Sequence, residues 1–378
     1  MGITGIICEY NPLHLGHKKQ IDRIRRDFPG EIIVCIMSGN FVQRGKPAIF
    51  SKDIRAKAAV LSGADLVLEL PVTAALSSAE GFAAEGVRIL GSFCNRLCFG
   101  AETADKDLLI NTAQALLSDA FKDALRLQLD KGLSFPAARQ EALAQLGCDS
   151  SLLETPNNIL AVEYCKAILS QSCSMVPYPI LREGSYHDTE ADSDNPSATA
   201  VRSLMETDSA WENFVPSYCS ELYSGAAVHT IEAGEKAILS RLRTMTNDEF
   251  ETLPYGSEGL WRKLMKNARS CSTLEDILTA TKSKRYTRTR LDRMVMCAFL
   301  GLSQQDIASP APYTRVLAFN DKGREALKQA RTVGNFPNIG EKQDDPYQAV
   351  ENRVTALYGL FATQPEPPED TTRVQYVP

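Results

Sequence analysis

The strongest constraint on the fold lies in the first hundred residues, where short, continuously apolar runs alternate with helical patterns. "GITGIIC" (2–8), "EIIVCIM" (31–37), "DLVLELP" (65–71) and "NRLCFG" (95–100) are rich in β-formers and apolar at nearly every position. Between them, Leu15–Asp27, Lys52–Ser62 and Ser78–Leu90 space their apolar residues as helices do. A strand with one wet face alternates; one that does not is covered on both faces, so helices must pack on each side of a parallel sheet. The pattern predicts an α/β fold, a Rossmann-like doubly wound parallel sheet whose ligands bind at the carboxyl ends of its strands. Helical patterns continue through 105–146 and 157–170, and "MVPYPIL" (175–181) reads as a further strand. After a polar loop a helix is expected near Thr199–Met205. From about Trp211 the chain reads as mainly helical, with helices over Ala233–Thr244, Ser257–Ser270, Thr273–Ser283, Arg288–Leu302 and Arg324–Val333. The expected division is a Rossmann-like domain over 1–210, a mainly helical domain over 211–362 and a Pro-rich acidic tail over 363–378, extended or disordered.

Composition narrows the class. With 44% hydrophobic and 23% charged residues in 378, the chain is an ordinary globular one. No apolar run approaches the roughly 20 residues that span a bilayer, and Met1 leads straight into a strand-like run, leaving no room for a signal peptide. The ten cysteines are scattered without zinc spacing, so they read as reduced thiols of a cytoplasmic protein that binds no metal through its side chains. A net charge of −6 argues against coating nucleic acid indiscriminately, while leaving room for a local basic patch.

The chemistry is concentrated where the first strand ends. In "GIICEYNPLHLGHKKQIDRI" (5–24), two of the chain's four histidines flank a glycine at a helix start. A helix N-terminus favours anions through its open N–H groups and dipole. His14 and His17, one turn apart, aim at one place, where a donor can neutralise charge building on a departing phosphate. Gly16 allows close approach to the backbone. Two solvated histidines at a helix start would be the bland alternative. A second motif, "SATAVR", puts Ser197, Thr199 and Arg202 in an SxTxxR pattern, either candidate phosphate contacts or a simple helix cap with a surface Arg.

HxGH after the first strand of an α/β pattern resembles the nucleotidyltransferase superfamily, which binds ATP and promotes attack on its α-phosphate. The strings around it narrow the resemblance. "EYNPLHLGH", "MSGNFVQRGKPAI" (37–49), "GADLVLELP", "FGAE" (99–102), "TPNNILAVEY" (155–164), "REGSYHDTE" (182–190) and "KSKRYTRTRLDR" (282–293) together look like the bacterial tRNA(Met) cytidine acetate ligase family, over roughly residues 2–300. The resemblance implies an ATP-dependent, AMP-forming ligase. Acetate and ATP would give acetyl-adenylate and pyrophosphate, and the wobble cytidine of elongator tRNA(Met) would become N4-acetylcytidine. It implies ATP as substrate, with Mg2+ expected on the nucleotide and no prosthetic group; the sequence itself shows no membrane segment and makes no protein partner evident. His14 and His17 would be catalytic. The family's ATP site falls on Ile7, Cys8, Glu9, Tyr10, Asn11, Pro12, Leu13, His14, Leu15, Gly16, His17, Lys18, Lys19 and Gln20, with Gly100, Asn157 and Arg182.

The residues alone leave alternatives at each of these positions. Gly100 ends a strand where a side chain would block an adenosine, or is a turn glycine. Asn157 contacts nucleotide or caps a helix, and Arg182 offers a fork of donors to phosphate or makes a surface salt bridge. Gln43, Arg44 and Lys46 line an active-site mouth or a solvated loop. Glu69 ends a strand, hydrogen-bonded to backbone. Between Arg262 and Arg293, ten Lys/Arg face three acids, with Tyr286 among them. That excess makes Lys282, Lys284, Arg285, Arg288, Arg290 and Arg293 the candidate tRNA contacts, and the alternative is a solvated helical face with compensating acids. An adenylyltransferase of a small phosphorylated metabolite would not need such a surface. An RNA-binding protein with a relic nucleotide site would not need an intact HxGH.

Overall fold

The apolar runs pair as strands in a computed structural model of the chain, which describes residues 2–182, 196–207, 210–333, 346–368 and 373–378. In chain order the strands are β1 (Ile3–Cys8), β2 (Ile32–Ser38), β3 (Phe41–Val42), β4 (Lys46–Pro47), β5 (Leu66–Leu70), β6 (Arg96–Ala101), β7 (Val176–Leu181), β8 (Val316–Phe319) and β9 (Gln375–Tyr376). Seven of them form one sheet, ordered β7-β6-β1-β2-β5-β8-β9. The run from β7 to β5 is parallel throughout. The chain winds outward from β1 in both directions, to β2 and β5 on one side and to β6 and β7 on the other. Loops after β1 and β6 therefore part and leave a crevice at the strands' carboxyl ends.

Both faces of the sheet are covered, as the unbroken apolar runs require. Ile3, Val34, Leu68 and Leu97 pack beneath helices Ala79–Leu90, Lys106–Leu117 and Pro156–Ser170. Ile6, Cys35 and Val67 pack beneath helix α1 (Leu15–Asp27) and helix Lys52–Leu61. A third core joins helices between Ile231 and Leu300 to Phe41 and Leu76 beside the sheet.

Besides the short β3–β4 hairpin in the loop after β2, two strands of the main sheet lie where no strand was expected. "VLAF" (316–319) is too short to declare its period, yet it runs antiparallel against β5. Within the tail 363–378, expected to be extended or disordered, Gln375–Tyr376 join the sheet as β9 beside β8. The alternation in "VQYV" sends Val377 into one face's core while Val374 packs against the other. Residues after 211 are also not confined to a separate helical layer. Trp211, Cys219 and Tyr223 cover the sheet's α1 face, and Ala326 and Leu327 cover the opposite face.

A buried ionic network fastens the helical layer to the sheet. Glu69 pairs with Lys52 at 3.0 Å and with Arg315 at 2.6 Å, rather than with backbone as the strand-end reading expected. Glu351 accepts the Val72 N–H at 2.9 Å and faces Arg315 at 3.7 Å. Burial alone would raise the Glu69 carboxyl, but Arg315 and Lys52 hold it below its ordinary range.

Candidate active site

β1 ends at Cys8, and Glu9–His14 cross to α1 above the switch point. Arg55, wholly buried, clamps this crossing. Its guanidinium donates to the carbonyls of Glu9 (2.6 Å), Ser38 (3.1 Å) and Phe50 (2.9 Å), and to that of Gly39. Asn11 Oδ1 accepts the Ile49 N–H at 2.7 Å, tying the crossing to the segment after β4. The Tyr10 ring meets the His17 ring edge-on, centroids 5.0 Å apart.

His14 is the N-cap of α1, an extended residue whose side chain accepts from the first turn. Gly16 N–H donates to His14 Nδ1 at 3.1 Å, and His14 N–H donates to His17 Nδ1 at 3.4 Å. The rings stack, centroids 3.8 Å apart. Each Nδ1 is thus an acceptor, which assigns the proton of each neutral imidazole to Nε2. Burial, then each other's proximity and Arg182 and Arg202, hold His14 well below its ordinary pKa; burial and Arg182 push His17 down to about 3. The pair is neutral and presents two Nε2–H donors. Gly16 serves a purpose beside the one expected. A Cβ there would sit 3.0 Å from His14 Cε1, so the glycine makes room for the capping ring. The Gly16 N–H is consequently used by the protein, and side chains add donors for an anion.

Two arginines supply them. Arg182 follows β7, and its Nη1 donates to Asn157 Oδ1 at 3.3 Å. Asn157 Nδ2 in turn donates to Glu102 Oε1 at 2.6 Å. Glu102 also accepts from Thr155 Oγ1 (2.9 Å) and Asn158 N–H (2.7 Å), capping helix Pro156–Ser170. Asn157 therefore sits inside the first turn instead of capping it, and Glu102 was not singled out because a strand-end acid has no signature of its own. Gly100 leaves space for Arg182: a Cβ would lie 3.0 Å from Arg182 Cγ. Arg202 donates to the Asn11 carbonyl and, at 3.1 Å, to Thr199 Oγ1, while Ser197 caps helix Ala198–Glu206 through the Ala200 N–H at 3.0 Å. Burial lowers the pKa of both arginines. The loop 183–190 after Arg182 lies outside the described residues.

These groups wall a cavity of about 990 Å³. Phe82, Phe99, Leu160 and Tyr164 give it an apolar end; His14, His17, Arg182 and Arg202 give it a polar one. From the first motif Ile7, Cys8, Glu9, Tyr10, Asn11, Gly16, Lys19 and Gln20 also face it, as do Gly100 and Asn157. Four residues of the same stretch do not: Pro12 and Leu13 lie buried beneath the crossing, Leu15 is turned away, and Lys18 pairs with Asp22. Gln43 and Arg44 reach the cavity from the β3–β4 turn, and Lys46 faces a neighbouring one. Among the described residues no cluster of three or more His, Cys, Asp or Glu could hold a metal ion, and no helix is long and apolar enough to cross a membrane.

The basic segment is less naked than its composition implied. Arg285 pairs with Glu258 at 2.8 Å and Arg288 with Glu275 at 2.6 Å and Asp292 at 2.9 Å. Arg290 donates to the Tyr255 carbonyl at 2.8 Å. Glu258 lies just outside the span over which the charges were counted, and the fold brings it back. Lys282 and Lys284 are exposed. Arg293 is buried over the Tyr255 ring and, with Thr289, lines the large cavity, so this segment borders the candidate site.

Residues 1–372 match the model of the HIGH Nucleotidyl Transferase family. A tRNA(Met) cytidine acetate ligase of Clostridium novyi is 38% identical over 357 residues, covering 89% of each chain. One from Clostridium acetobutylicum is 34% identical over 398 residues, covering 99% of each. The crystal structure of apo Thermotoga maritima TmcAL superposes with a TM-score of 0.91 at 29% identity, over 100% of both chains. The same protein bound with alpha-thio ATP gives 0.87 at 28% identity, again over 100% of both.

Proposed function

The chain belongs to the HIGH Nucleotidyl Transferase family, among its tRNA(Met) cytidine acetate ligases, and from that premise we propose that it joins acetate to a tRNA cytidine through an acetyl-adenylate. ATP lies in the large cavity, its adenosine toward Phe99 and Tyr164 and its phosphates toward His14, His17, Arg182 and Arg202. In the first step an acetate oxygen attacks the α-phosphorus, the bond to the bridging oxygen breaks, and pyrophosphate leaves with the electron pair. The two Nε2–H groups and the guanidinium forks meet charge as it develops on the phosphate oxygens. In the second step the cytidine N4 attacks the acetyl carbon, the acyl–phosphate bond breaks, AMP leaves and one amine proton is released. Mg2+ enters as part of the nucleotide substrate, on its β- and γ-phosphates. Elongator tRNA(Met) is the acceptor we assign, with Lys282, Lys284 and Arg285 among its phosphate contacts, and the cytoplasm is where this protein would meet it.

One observation carries the reading: two neutral, stacked histidines with fixed Nε2–H donors stand beside two arginines at the crevice of the sheet. The experiment is ATP–pyrophosphate exchange with a panel of small carboxylates, with and without bulk tRNA. Acetate supports exchange without tRNA. No exchange with any carboxylate, or exchange only with a phosphorylated metabolite, overturns the proposal.

A further inference from the structure

A second cavity, of about 270 Å³, adjoins the histidine pair. It shares Glu9, Asn11, His14, His17 and Arg202 with the large one, so both cavities meet where the reacting phosphorus is proposed to lie. Arg44, Arg182 and Ala198 are common to both as well; of the walls that are its own, Val42, Ile49 and Val228 are apolar, and Glu206 and Glu232 stand beside them.

We propose that this smaller cavity seats the acceptor nucleoside, a pyrimidine bearing an exocyclic amine, turned out of its RNA strand. The inference rests on the reading given under Proposed function. Geometry supplies the first reason. The second nucleophile must reach the acyl group without displacing the nucleotide, and a separate opening onto the same histidines provides that approach. Size is the second. A 270 Å³ space holds roughly nine waters, about a nucleoside and far more than acetate needs. The third reason is chemical. Cytosine offers N4 as a donor, and carboxylates are its natural acceptors. Glu9, at the junction, already accepts the Gln43 N–H at 2.8 Å through one oxygen and can turn the other to the amine. Apolar side chains cover the base, as sites for unstacked nucleotides require.

The route to the basic segment is continuous. Arg44 and Lys46 stand on the cavity wall, on the two sides of Gly45. Gly45 has φ +72°, and a Cβ there would lie 2.5 Å from backbone atoms of Asp292 and Arg293. The β3–β4 turn is thus pressed against the basic helix, and an RNA strand lying along Lys282–Arg285 can deliver one base past Lys46 into the cavity.

The test uses Val228, which lines only the smaller cavity and is 37% exposed, so its replacement leaves the core untouched. Val228→Trp fills the opening and Val228→Ala keeps it clear. Val228→Trp should hold acetate-dependent ATP–pyrophosphate exchange within about twofold of the parent, yet lose at least about tenfold in acetyl transfer to tRNA. Val228→Ala, which trims one wall of the seat without blocking it, should lose far less transfer than Val228→Trp. Transfer at the parental rate by Val228→Trp overturns the proposal, and so does equal loss of exchange and transfer in that variant. A parent protein that shows no acetate-dependent exchange refutes the acetyl-adenylate reading itself and removes the basis for this seat.

Discussion

Two clusters of buried cations stand along the sheet, one beside β5 and one around β1 and β7, and they differ in what faces them. Beside β5, Lys52 and Arg315 are matched by Glu69 and Glu351. Burial would lower the Arg315 guanidinium, but Glu69 and Glu351 hold it above its ordinary pKa. Around β1 and β7, the described hydrogen bonds of Arg182 and Arg202 go to an amide oxygen, a carbonyl and a hydroxyl, and burial pushes both down, outweighing Glu102 near the first and Glu9 and Glu206 near the second. Among the described residues neither makes an ion pair with a carboxylate. A buried charge that has its partner holds the fold together. One that lacks it is a standing electrostatic debt, which a polyanion such as ATP's phosphates would discharge.

The widest gap between the clusters should appear in catalysis. His14→Ala or His17→Ala should lower acetate-dependent pyrophosphate exchange on the order of 10²–10³-fold, because each removes an Nε2–H from the developing charge. Near-parental exchange in both variants would remove the histidines from the reaction.

The matched cluster should respond in stability instead. Glu69→Ala strands Lys52 and Arg315 in the interior and should destabilise by about 3–5 kcal/mol, read by urea unfolding. Below the unfolding midpoint, ATP-analogue affinity per folded molecule should stay unchanged. A loss of affinity without loss of stability would merge the two clusters into one.

Protonation gives a smaller effect with a definite sign. His14 and His17 are held below the ordinary value of 6.5. As pH falls through that value, the unfolded chain binds protons that the folded chain refuses. Stability is therefore present above pH 6.5 and declines below it, by at most about 1.4 kcal/mol per pH unit for each histidine. Melting curves from pH 8 to pH 5 should show this decline, flattened in His14→Gln/His17→Gln. Equal slopes in parent and double variant would contradict the depressed histidines.

These differences explain what could be read before the fold was known. Unbroken apolar runs such as Ile32–Ser38 declare a two-sided sheet by their composition, and the HxGH spacing is itself a local geometry. Glu102, Arg55 and Arg315 were illegible for a common reason. Each acts on residues tens to hundreds of positions away, and a single acid or arginine in a row carries no record of its partner. "VLAF" and "VQYV" were missed because two to four residues cannot display a period. The basic segment shows its charge excess in the row of residues but not its pairing: Glu258, outside the 262–293 span, reaches Arg285 only after folding, and Glu275, inside it, reaches Arg288.

The smallest effects belong to that segment. Lys284→Ala should reduce the slope of log K for tRNA against log salt by about 0.7–0.9, one phosphate contact, and leave exchange without tRNA unaltered. An unchanged slope would move the RNA surface away from Lys284.

Arg182 tests the contrast most directly, because its two readouts should move in opposite directions. Titration calorimetry with a non-hydrolysable ATP analogue and thermal unfolding without nucleotide would be run on the parent and on Arg182→Met. An unmatched cation kept for an anion predicts roughly 10–100-fold weaker nucleotide binding, from the loss of charge-assisted hydrogen bonds of about 1.5–3 kcal/mol, with the unliganded protein as stable as the parent or more so. Unchanged affinity together with a lower melting temperature would contradict it and make Arg182 a structural partner of Asn157.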